Sequence, residues 1–364
     1  MNATTPRVFV AATRQNEGKT TMSLGLMSLL QPVYPRIGYI KPVGQRFVEI
    51  ETWKIDEDTV LMDRIFHLDC PLVDMSPIAV EPDFTRKYIE SSNRDTLVRR
   101  IEKAFDRVAW EKDFVLCEGS GHAGVGSVFD LSNAQVAAIL KAKVILVTQG
   151  GIGKPIDEIV LNRSLFEQEG VEIIGVILNK VLPAKVEFIR EIVRRGLQRK
   201  GIELLGVVPH ERILSSPTVE VIREELHAER LNRASAPPVL VEEVVVGAMG
   251  VNHLTQHFRR GVLLITPSDR EDIILAVAAA AGAGDGPHLA GIILTGSMPP
   301  GEAVRGLIQK LPFPVLLAKQ DSYEVASTVH VMTVKTRPDD ANKISIIRDL
   351  IGKHVGIDKI LNAL

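Results

Sequence analysis

The sequence has little of what marks secreted, membrane or nucleic-acid-binding proteins. Its 364 residues include two cysteines, Cys70 and Cys117, and Cys117 lies in an apolar segment, so a disulfide framework or a cysteine-based metal site is not expected. A formal net charge of −2 gives no electrostatic basis for binding nucleic acid or an anionic membrane. No apolar run is long enough to cross a bilayer, and residues 8–13 are too short for a signal-peptide core. We therefore expect a cytoplasmic protein.

The composition that remains is that of a globular protein with two domains of ordinary size. Apolar residues make up 45% of the chain and charged residues 24%. Between Val8 and Val208, continuously apolar segments alternate with segments of helical spacing, which predicts a parallel sheet with helices on both faces. A second α/β pattern follows, with strands predicted at 243–246, 262–266, 291–295, 315–318 and 331–334 and a helix at 340–355. We predict an α/β fold with domains 1–210 and 240–364, joined by a linker at 211–239.

The segment Val8–Thr21 carries the most informative motif. A short apolar run is followed by polar residues, and Gly18-Lys19-Thr20-Thr21 then opens a segment of helical spacing. In such a strand–loop–helix, backbone N–H groups of the loop and of the helix N-terminus face bound phosphates. Lys19 is then expected to reach the outer phosphates and the Thr20 hydroxyl to coordinate Mg²⁺.

An ordinary βα turn is the alternative interpretation of this motif. Thr13 stands where the complete phosphate-loop pattern has its first glycine, and Gly-Lys pairs also occur at Gly153-Lys154 and Gly352-Lys353. The apolar strand before the motif and the helix after it favour nucleotide binding. The nucleotide-binding residues that we predict are Thr13, Asn16, Glu17, Gly18, Lys19, Thr20, Thr21 and Asn179.

Polar and charged side chains at the ends of other predicted strands and helices are candidates to complete the site around this loop. Lys41 follows a predicted strand, where a cation faces the ligand crevice of an open α/β sheet, although a solvated loop lysine is the alternative. Glu118 ends the buried strand 113–118 and is a candidate Mg²⁺ ligand or a solvent-facing strand end. Asp58 opens an amphipathic helix, where an acid also stabilises the helix dipole. Asn179, at another strand end, is suited either to an adenine edge or to capping the turn.

These motifs resemble the dethiobiotin synthetase-like P-loop family. The resemblance rests on Ala12-Thr13, Gly18–Thr21, Lys41-Pro42-Val43, Asp58, Glu118-Gly119 and Asn179-Lys180. The sequences of Lys41–Gln45, Glu118–Gly126 and Asp130–Ala134 are similar to the N-terminal half of long bacterial phosphate acetyltransferases. The second domain resembles the DRTGG domain of those enzymes at Thr266–Arg270, Thr295-Gly296-Ser297 and Asp321–Glu324.

The resemblance implies a role for each matching residue. Lys19 and Thr20 would bind the phosphates of ATP and Mg²⁺, Asp58 and Glu118 would complete the metal site, and Lys41 would act with Lys19 on transferred phosphate. Asn179 would read the base. Acetyl transfer is not expected, because those enzymes carry their acyl-transfer domain after the DRTGG domain and this sequence ends at Leu364.

Three functions follow from these expectations. The first is a Mg²⁺–ATP-binding regulatory or metabolite-sensing protein, related to the regulatory N-terminal region of those acetyltransferases and able to pair with a separately encoded catalytic chain. The second is an ATP-dependent ligase, of the dethiobiotin synthetase or cobyrinic acid a,c-diamide synthase type, that activates a small carboxylate. The cobyrinic acid a,c-diamide synthase type also has a glutaminase part, which would need a nucleophilic cysteine, and no cysteine follows Cys117. The third is a non-catalytic interaction module.

The assembly expected from the resemblance is a homodimer. Arg14 occupies the place where some dimeric P-loop ATPases have a second lysine that reaches across the interface. We therefore consider a cross-subunit role for Arg14 as a hypothesis.

Overall fold

The computed structural model describes residues 2–282, 289–332 and 334–364, which divide into two compact units. The first unit comprises the chain up to Glu211 together with Thr336–Leu364, and the second comprises Arg212–Lys335. Each unit is a sheet covered by helices, so the predicted α/β fold with a second, smaller α/β domain is confirmed.

The first unit is organised around a parallel sheet. Its strands up to Glu211 are β1 (Arg7–Ala12), β2 (Ile37–Ile40), β3 (Val43–Gly44), β4 (Phe47–Ile50), β5 (Trp53–Asp56), β6 (Ile78–Ala79), β7 (Phe114–Glu118), β8 (Lys143–Gln149), β9 (Ile173–Val181) and β10 (Leu204–Pro209). Six of them form the central sheet, in the order β10-β9-β8-β1-β7-β2. Every residue of β1, β2 and β7 is buried, because helices cover both faces.

The helices of the first unit alternate with these strands. They are α1 (Lys19–Leu30), α2 (Glu57–Phe66), α3 (Leu72–Met75), α4 (Phe84–Glu90), α5 (Arg94–Val108), α6 (Asn133–Ile139), α7 (Gly153–Gln168) and α8 (Val186–Gln198). The surface helix α5 shows why they pack: it buries Ile101, Phe105 and Val108, which recur at helical spacing, and leaves its charged residues in solvent.

The second unit has its own sheet. Its elements are α9 (Arg212–Ser215), α10 (Val219–Leu226), β11 (Glu229–Arg230), β12 (Glu243–Val246), α11 (Val251–Leu254), β13 (Val262–Pro267), α12 (Glu271–Gly282), β14 (Gly291–Thr295), α13 (Glu302–Ile308), β15 (Val315–Leu317) and α14 (Ser322–Val331). The strand order is β11-β15-β14-β13-β12, parallel except for the edge strand β11. An apolar core covers each face of the sheet.

Two helices return the end of the sequence to the first unit, namely α15 (Ala341–His354) and α16 (Ile357–Ala363). Ile347 and Ile351 of α15 are fully buried, and Ile351 lies over Gly25 of α1. The backbone N–H of Gly356 donates to the carbonyl oxygen of Leu205 at 2.8 Å, which ties the segment to β10.

These units differ from the domain limits expected from the sequence. Residues 336–364 belong to the first unit and not to the second domain, because the apolar stripe of α15 packs on α1. Residues 212–239 are also more than a linker. Helix α10 buries Val219, Ile222 and Leu226, and β11 adds an antiparallel strand to the second sheet.

The predicted strand at 331–334 is wrong. Its β-branched residues favour a strand, but Asp321 and Glu324 form a capping box that starts α14, and this helix continues to Val331. Met332 and Val334 are outside any strand, and Thr333 lies outside the described residues.

Membrane crossing finds no support in the helices. Within the described ranges, none is both long enough and apolar enough to span a bilayer.

The contact between α1 and α15 gives a first prediction. A Cβ added at Gly25 would lie 2.3 Å from Cγ1 of Ile351, so the helices must shift to admit it. We expect Gly25→Ala to lower the free energy of unfolding by about 1–3 kcal/mol, although alanine raises helix propensity by about 1 kcal/mol. Denaturant unfolding followed by circular dichroism measures the change.

Gly352→Ala is the matched control, because its Cβ would lie at an ordinary contact distance of 3.4 Å from Leu29 Cδ2. This variant is expected to be as stable as the parent or slightly more stable. If Gly25→Ala proved at least as stable as Gly352→Ala, the close approach of α1 to α15 would be contradicted.

Candidate functional site

The predicted site residues meet at one edge of the central sheet. Strand β1 lies between β7 and β8, and Val10 is paired with Glu118 across β1 and β7. The loop at 13–18 follows β1, and Lys41 follows the neighbouring strand β2. Because the carboxyl ends of parallel strands share one edge, the loop, Lys41 and Glu118 lie together, at the place where open α/β sheets bind ligands.

The loop at 13–18 is held in shape by the end of β9. Gly18 has a φ of 93° and Asn16 a φ of 62°, both in the left-handed region. A Cβ on Gly18 would lie 2.3 Å from Nδ2 of Asn179, which donates to the carbonyl oxygen of Glu17 at 2.8 Å. Lys180 Nζ donates to the carbonyl oxygen of Asn16 at 2.6 Å. Of the two roles expected for Asn179, this geometry favours support of the turn.

Thr13, at the position of the missing glycine, faces β8 and α7. Its backbone N–H donates to Val147 O at 2.9 Å, and its hydroxyl lies 2.8 Å from Thr148 Oγ1 and 3.3 Å from Glu158 Oε2. The same Glu158 pairs with Arg14, whose Nη2 lies 2.8 Å from Oε1. Arg14 therefore has an ion-pair partner within its own chain.

Lys19 and Thr20 form the first turn of α1. Burial lowers the pKa of Lys19 to about 8, although Glu118 attracts its charge. Within the described residues, the Lys19 ammonium makes no hydrogen bond and no ion pair. Thr20 Oγ1 donates to Glu118 Oε1 at 2.9 Å. A partly buried cation without a counter-ion therefore stands at a helix N-terminus, which is a favourable place for an anion.

Glu17 and Thr21 complete the predicted nucleotide-binding set. The Glu17 side chain is buried, its Oε2 has no hydrogen-bond partner in the described part of the chain, and burial raises the pKa of its carboxyl group. Thr21 follows Thr20 in α1 and is partly buried. Glu17 therefore belongs to the loop, and Thr21 lies in the helix that follows it.

The second half of the site is a buried cluster of three carboxylates around one ammonium group. Lys41 Nζ lies 3.0 Å from Asp56 Oδ1 and 3.9 Å from Glu118 Oε1, and it forms a hydrogen-bonded ion pair with Asp58. Burial opposes the charge on Lys41, but Asp58, Asp56 and Glu118 together raise its pKa above the ordinary value. The Lys41 ammonium therefore stays charged and holds the carboxylates together.

Burial acts on the carboxylates of this cluster as well. It raises the pKa of Glu118 and of Asp56, against the opposing attraction of Lys41. Asp56 also caps α2, because its Oδ1 accepts the backbone N–H of Asp58 at 2.9 Å. The Tyr39 hydroxyl donates to Glu118 Oε2 at 3.2 Å, and burial raises the pKa of Tyr39 well above its ordinary value.

The donor set suits magnesium more than a softer metal. The Thr20 hydroxyl and the carboxylates of Asp58 and Glu118 supply the oxygen ligands that Mg²⁺ prefers. Asp56 Oδ2, in the same cluster, is buried without a hydrogen-bond partner in the described part of the chain. Over the described ranges, no three His, Cys, Asp or Glu side chains are grouped so as to hold a metal by themselves, so such a site needs the hydroxyl and ligand oxygens as well.

Sequence reasoning missed three residues of this site, namely Asp56, Glu158 and Tyr39. The spacing of Asp56 and Asp58, two residues apart at a helix start, was a usable signal because one can cap while the other points inward. Glu158 lies inside α7, far along the chain from Thr13 and Arg14, and no local pattern marks it.

Family comparisons agree with the two-domain organisation. A family model described as an AAA domain (AAA_26) matches residues 6–218, more than half of the chain, and one described as the DRTGG domain matches residues 221–332. The phosphate acetyltransferase of Nitratidesulfovibrio vulgaris is 28% identical over 361 residues, which are 96% of this chain and 50% of that protein. That of Synechocystis is 29% identical over 369 residues, 99% of this chain and 52% of that protein.

The chain thus spans about half the length of the curated relatives it matches. The expected resemblance, a P-loop domain and a DRTGG domain as in the N-terminal region of phosphate acetyltransferases, is confirmed. Among solved structures, the CBS and DRTGG domains of the regulatory region of Clostridium perfringens pyrophosphatase, complexed with diadenosine tetraphosphate, are 16% identical. They have a TM-score of 0.28 and cover 48% of this chain and 86% of that one, a likeness too weak to support any argument.

The two lysines of the site are predicted to affect stability in opposite directions. Lys19→Met removes a partly buried charge that has no ion-pair partner among the described residues, and we expect it to raise the free energy of unfolding at pH 7 by about 1–3 kcal/mol. Lys41→Met leaves three buried carboxylates without their cation, and we expect it to lower that free energy by about 3–5 kcal/mol. Denaturant titrations of both variants at pH 7 measure the two changes.

The increase in the free energy of unfolding that we expect from Lys19→Met also depends on pH. Native Lys19 releases its proton near pH 8, whereas the unfolded chain holds it up to the ordinary value of 10.5. The gain should therefore be complete below pH 8 and disappear as the pH rises towards 10.5. A destabilised Lys19→Met protein would show that this ammonium has a partner in the native state.

Proposed function

Because the chain belongs to the AAA domain (AAA_26) family, we propose that it binds Mg²⁺–ATP in its first unit and acts as a regulatory or metabolite-sensing protein. The proposal concerns the P-loop and DRTGG domains alone. We take as the working form the cytoplasmic homodimer expected from the resemblance, with a separately encoded catalytic chain as a candidate partner.

One observation carries the proposal, namely that the Lys19 ammonium at the N-terminus of α1 forms no ion pair with any described residue. A protein pays for a partly buried charge unless a ligand neutralises it, and the adjoining N–H groups of α1 favour a ligand that is anionic. The left-handed backbone of Asn16 and Gly18, fixed by Asn179 and Lys180, shapes the loop before that helix. A phosphate group satisfies both features.

Each predicted residue has a role in this proposal. The backbone from Asn16 to Thr21 cradles the phosphates, Lys19 contacts the outer phosphates, and Thr20, Asp58 and Glu118 hold the magnesium ion. When bound, Mg²⁺ offsets the negative charge of the phosphate oxygens. Tyr39 fixes the orientation of Glu118 through its hydrogen bond to Oε2.

The contacts of Lys41 distinguish a sensing role from a phosphoryl-transfer role. A ligase of the dethiobiotin synthetase type would use this lysine on the transferred phosphate, as the resemblance implies. Here its ammonium lies within 4 Å of Asp56, Asp58 and Glu118 and carries the counter-charge for all three. This engagement supports a binding or sensing role over the ligase alternative.

Calorimetric titration with ATP tests the proposal directly. We expect the parent chain to bind ATP in the micromolar range and only with Mg²⁺, and Lys19→Met to weaken binding roughly 10- to 100-fold by removing a charge-assisted contact. Thr20→Val should reduce the dependence on Mg²⁺. Lys353→Met is the control, because Lys353 is exposed and belongs to another Gly-Lys pair, in α15.

Equal affinity in the parent and in Lys19→Met would refute the proposed cradle. Absence of binding to the parent would favour the interaction-module alternative.

The affinity for ATP is also predicted to depend on pH above neutrality. Because burial lowers the pKa of Lys19 to about 8, the loop loses its cation as the pH rises through that value. The dissociation constant should then rise by up to about tenfold per pH unit between pH 8 and 9.5. Lys19→Arg, whose guanidinium keeps its charge, should give a flat profile. A parent profile that is flat to pH 10 would contradict the lowered pKa.

A further inference from the structure

A cavity of the first unit lies at the carboxyl ends of α1 and α2, the two helices that begin at the candidate site. It has a volume of about 650 Å³ and lies between the last turns of α1 and α2 and the first two turns of α15. A volume of this size is typical of sites for small organic ligands. None of the residues assigned to the nucleotide site lines it.

Two arginines give this cavity its charge. Arg64, in the last turn of α2, and Arg348, on α15, both line it, and both side chains are exposed. Within the described residues, neither guanidinium has an ion pair or a hydrogen bond, and no carboxylate lines the cavity. Two unpaired guanidinium groups facing one cavity favour an oxygen anion, because the planar fork of arginine matches phosphate and carboxylate oxygens.

The helix ends around the cavity modify this charge without reversing it. Helix α15 begins beside it, and its first N–H groups add positive partial charge, which the carboxylate of its capping residue Asp340 opposes. Asp340 does not line the cavity, and its Oδ2 accepts the backbone N–H of Arg337 at 2.9 Å. The carboxyl ends of α1 and α2 contribute roughly half a negative charge each, less than the two full charges of Arg64 and Arg348. Over the residues that line it, the cavity therefore keeps a positive balance.

The other residues that line the cavity indicate the uncharged part of the ligand. Phe66 and Ile344 provide apolar surface, and Ser345 and Gln31 provide hydrogen-bonding groups. A bare inorganic ion would leave this surface unused, whereas a compound with a short carbon chain and hydroxyl groups would cover it. A small organic phosphate combines that body with the dianionic charge that two arginines favour.

The two helices connect this cavity to the candidate nucleotide site. Helix α1 carries Lys19 and Thr20 in its first turn and Ser28 and Gln31 at the cavity, and its 12 residues span about 18 Å. Helix α2 carries Asp58 in its first turn and Arg64 at the cavity. A ligand that moves or stiffens these carboxyl ends acts on the same rigid elements that hold the phosphate loop and the metal ligands.

We propose that this cavity is a regulatory site for a small organic phosphate, bound by Arg64 and Arg348 and energetically coupled to the nucleotide site through α1 and α2. The binding part stands on the cavity alone, and the coupling part rests on the proposed function.

The binding part is tested on the full chain by calorimetric titration with glycerol 3-phosphate, with inorganic phosphate and succinate as comparison probes. Arg64→Gln/Arg348→Gln should weaken glycerol 3-phosphate binding at least roughly tenfold. Arg99→Gln/Arg100→Gln is the matched control, because it removes two exposed charges from α5, away from the cavity. This control should bind like the parent, and inorganic phosphate should bind more weakly than glycerol 3-phosphate.

Each of four outcomes would overturn the binding part. These are no saturable binding to the parent, equal binding in Arg64→Gln/Arg348→Gln, an equal loss in Arg99→Gln/Arg100→Gln, and preference for succinate. The third would indicate a general charge effect and the fourth a carboxylate ligand.

The coupling part is tested by titrating Mg²⁺–ATP with and without saturating glycerol 3-phosphate. We expect the ATP dissociation constant to change about fivefold or more, and that of glycerol 3-phosphate to change by the same factor when ATP is saturating. Unchanged constants, with both ligands bound, would refute the coupling. Binding of glycerol 3-phosphate without any binding of ATP would refute the proposed function and the coupling, but not the cavity as a site.

Discussion

The first unit depends on one ammonium group. Lys41 is buried among Asp56, Asp58 and Glu118, and each of these side chains comes from a different element or element end at the sheet edge. Removing such a cation costs far more than breaking a surface ion pair, because three desolvated charges would then repel each other. The carboxylates that suit a magnesium ion therefore lie close together only because a lysine neutralises their repulsion. Gly44 has no side chain and leaves the space that Asp56 occupies.

Beside this balanced cluster lies the Lys19 ammonium, which makes no hydrogen bond and no ion pair within the described part of the chain. Native proteins concentrate such uncompensated features at sites of binding, since a group satisfied by its neighbours has less to gain from a ligand. The two lysines are under 25 residues apart in sequence and share Glu118 as a neighbour, and burial disfavours the charge of both. Burial lowers the pKa of Lys19, whereas the three carboxylates around Lys41 outweigh burial and raise the pKa of Lys41.

The sequence predicted the parts of this molecule that depend on local pattern. Alternating apolar strands and amphipathic helices determined the central sheet, and strand ends determined that Lys19, Lys41 and Glu118 lie at one edge, because parallel strands leave no other arrangement. What escaped prediction depends on contacts between distant segments. The pairing of Glu158 with Arg14, like the packing of α15 on α1, leaves no periodic trace near either partner. At 331–334, residues that favour strands did not form one, because the capping box of Asp321 and Glu324 starts a helix that continues to Val331.

The return of residues 336–364 to the first unit has a consequence for synthesis. A ribosome releases the whole second unit before it releases α15, so the second unit is complete while the first still lacks the helix that covers Gly25. At roughly 5–20 residues per second, the 124 residues from Arg212 to Lys335 correspond to a delay on the order of ten seconds. During that interval, α1 lacks the helix that covers Gly25 in the folded chain. The first domain is thus closed by a segment that is made only after the second unit.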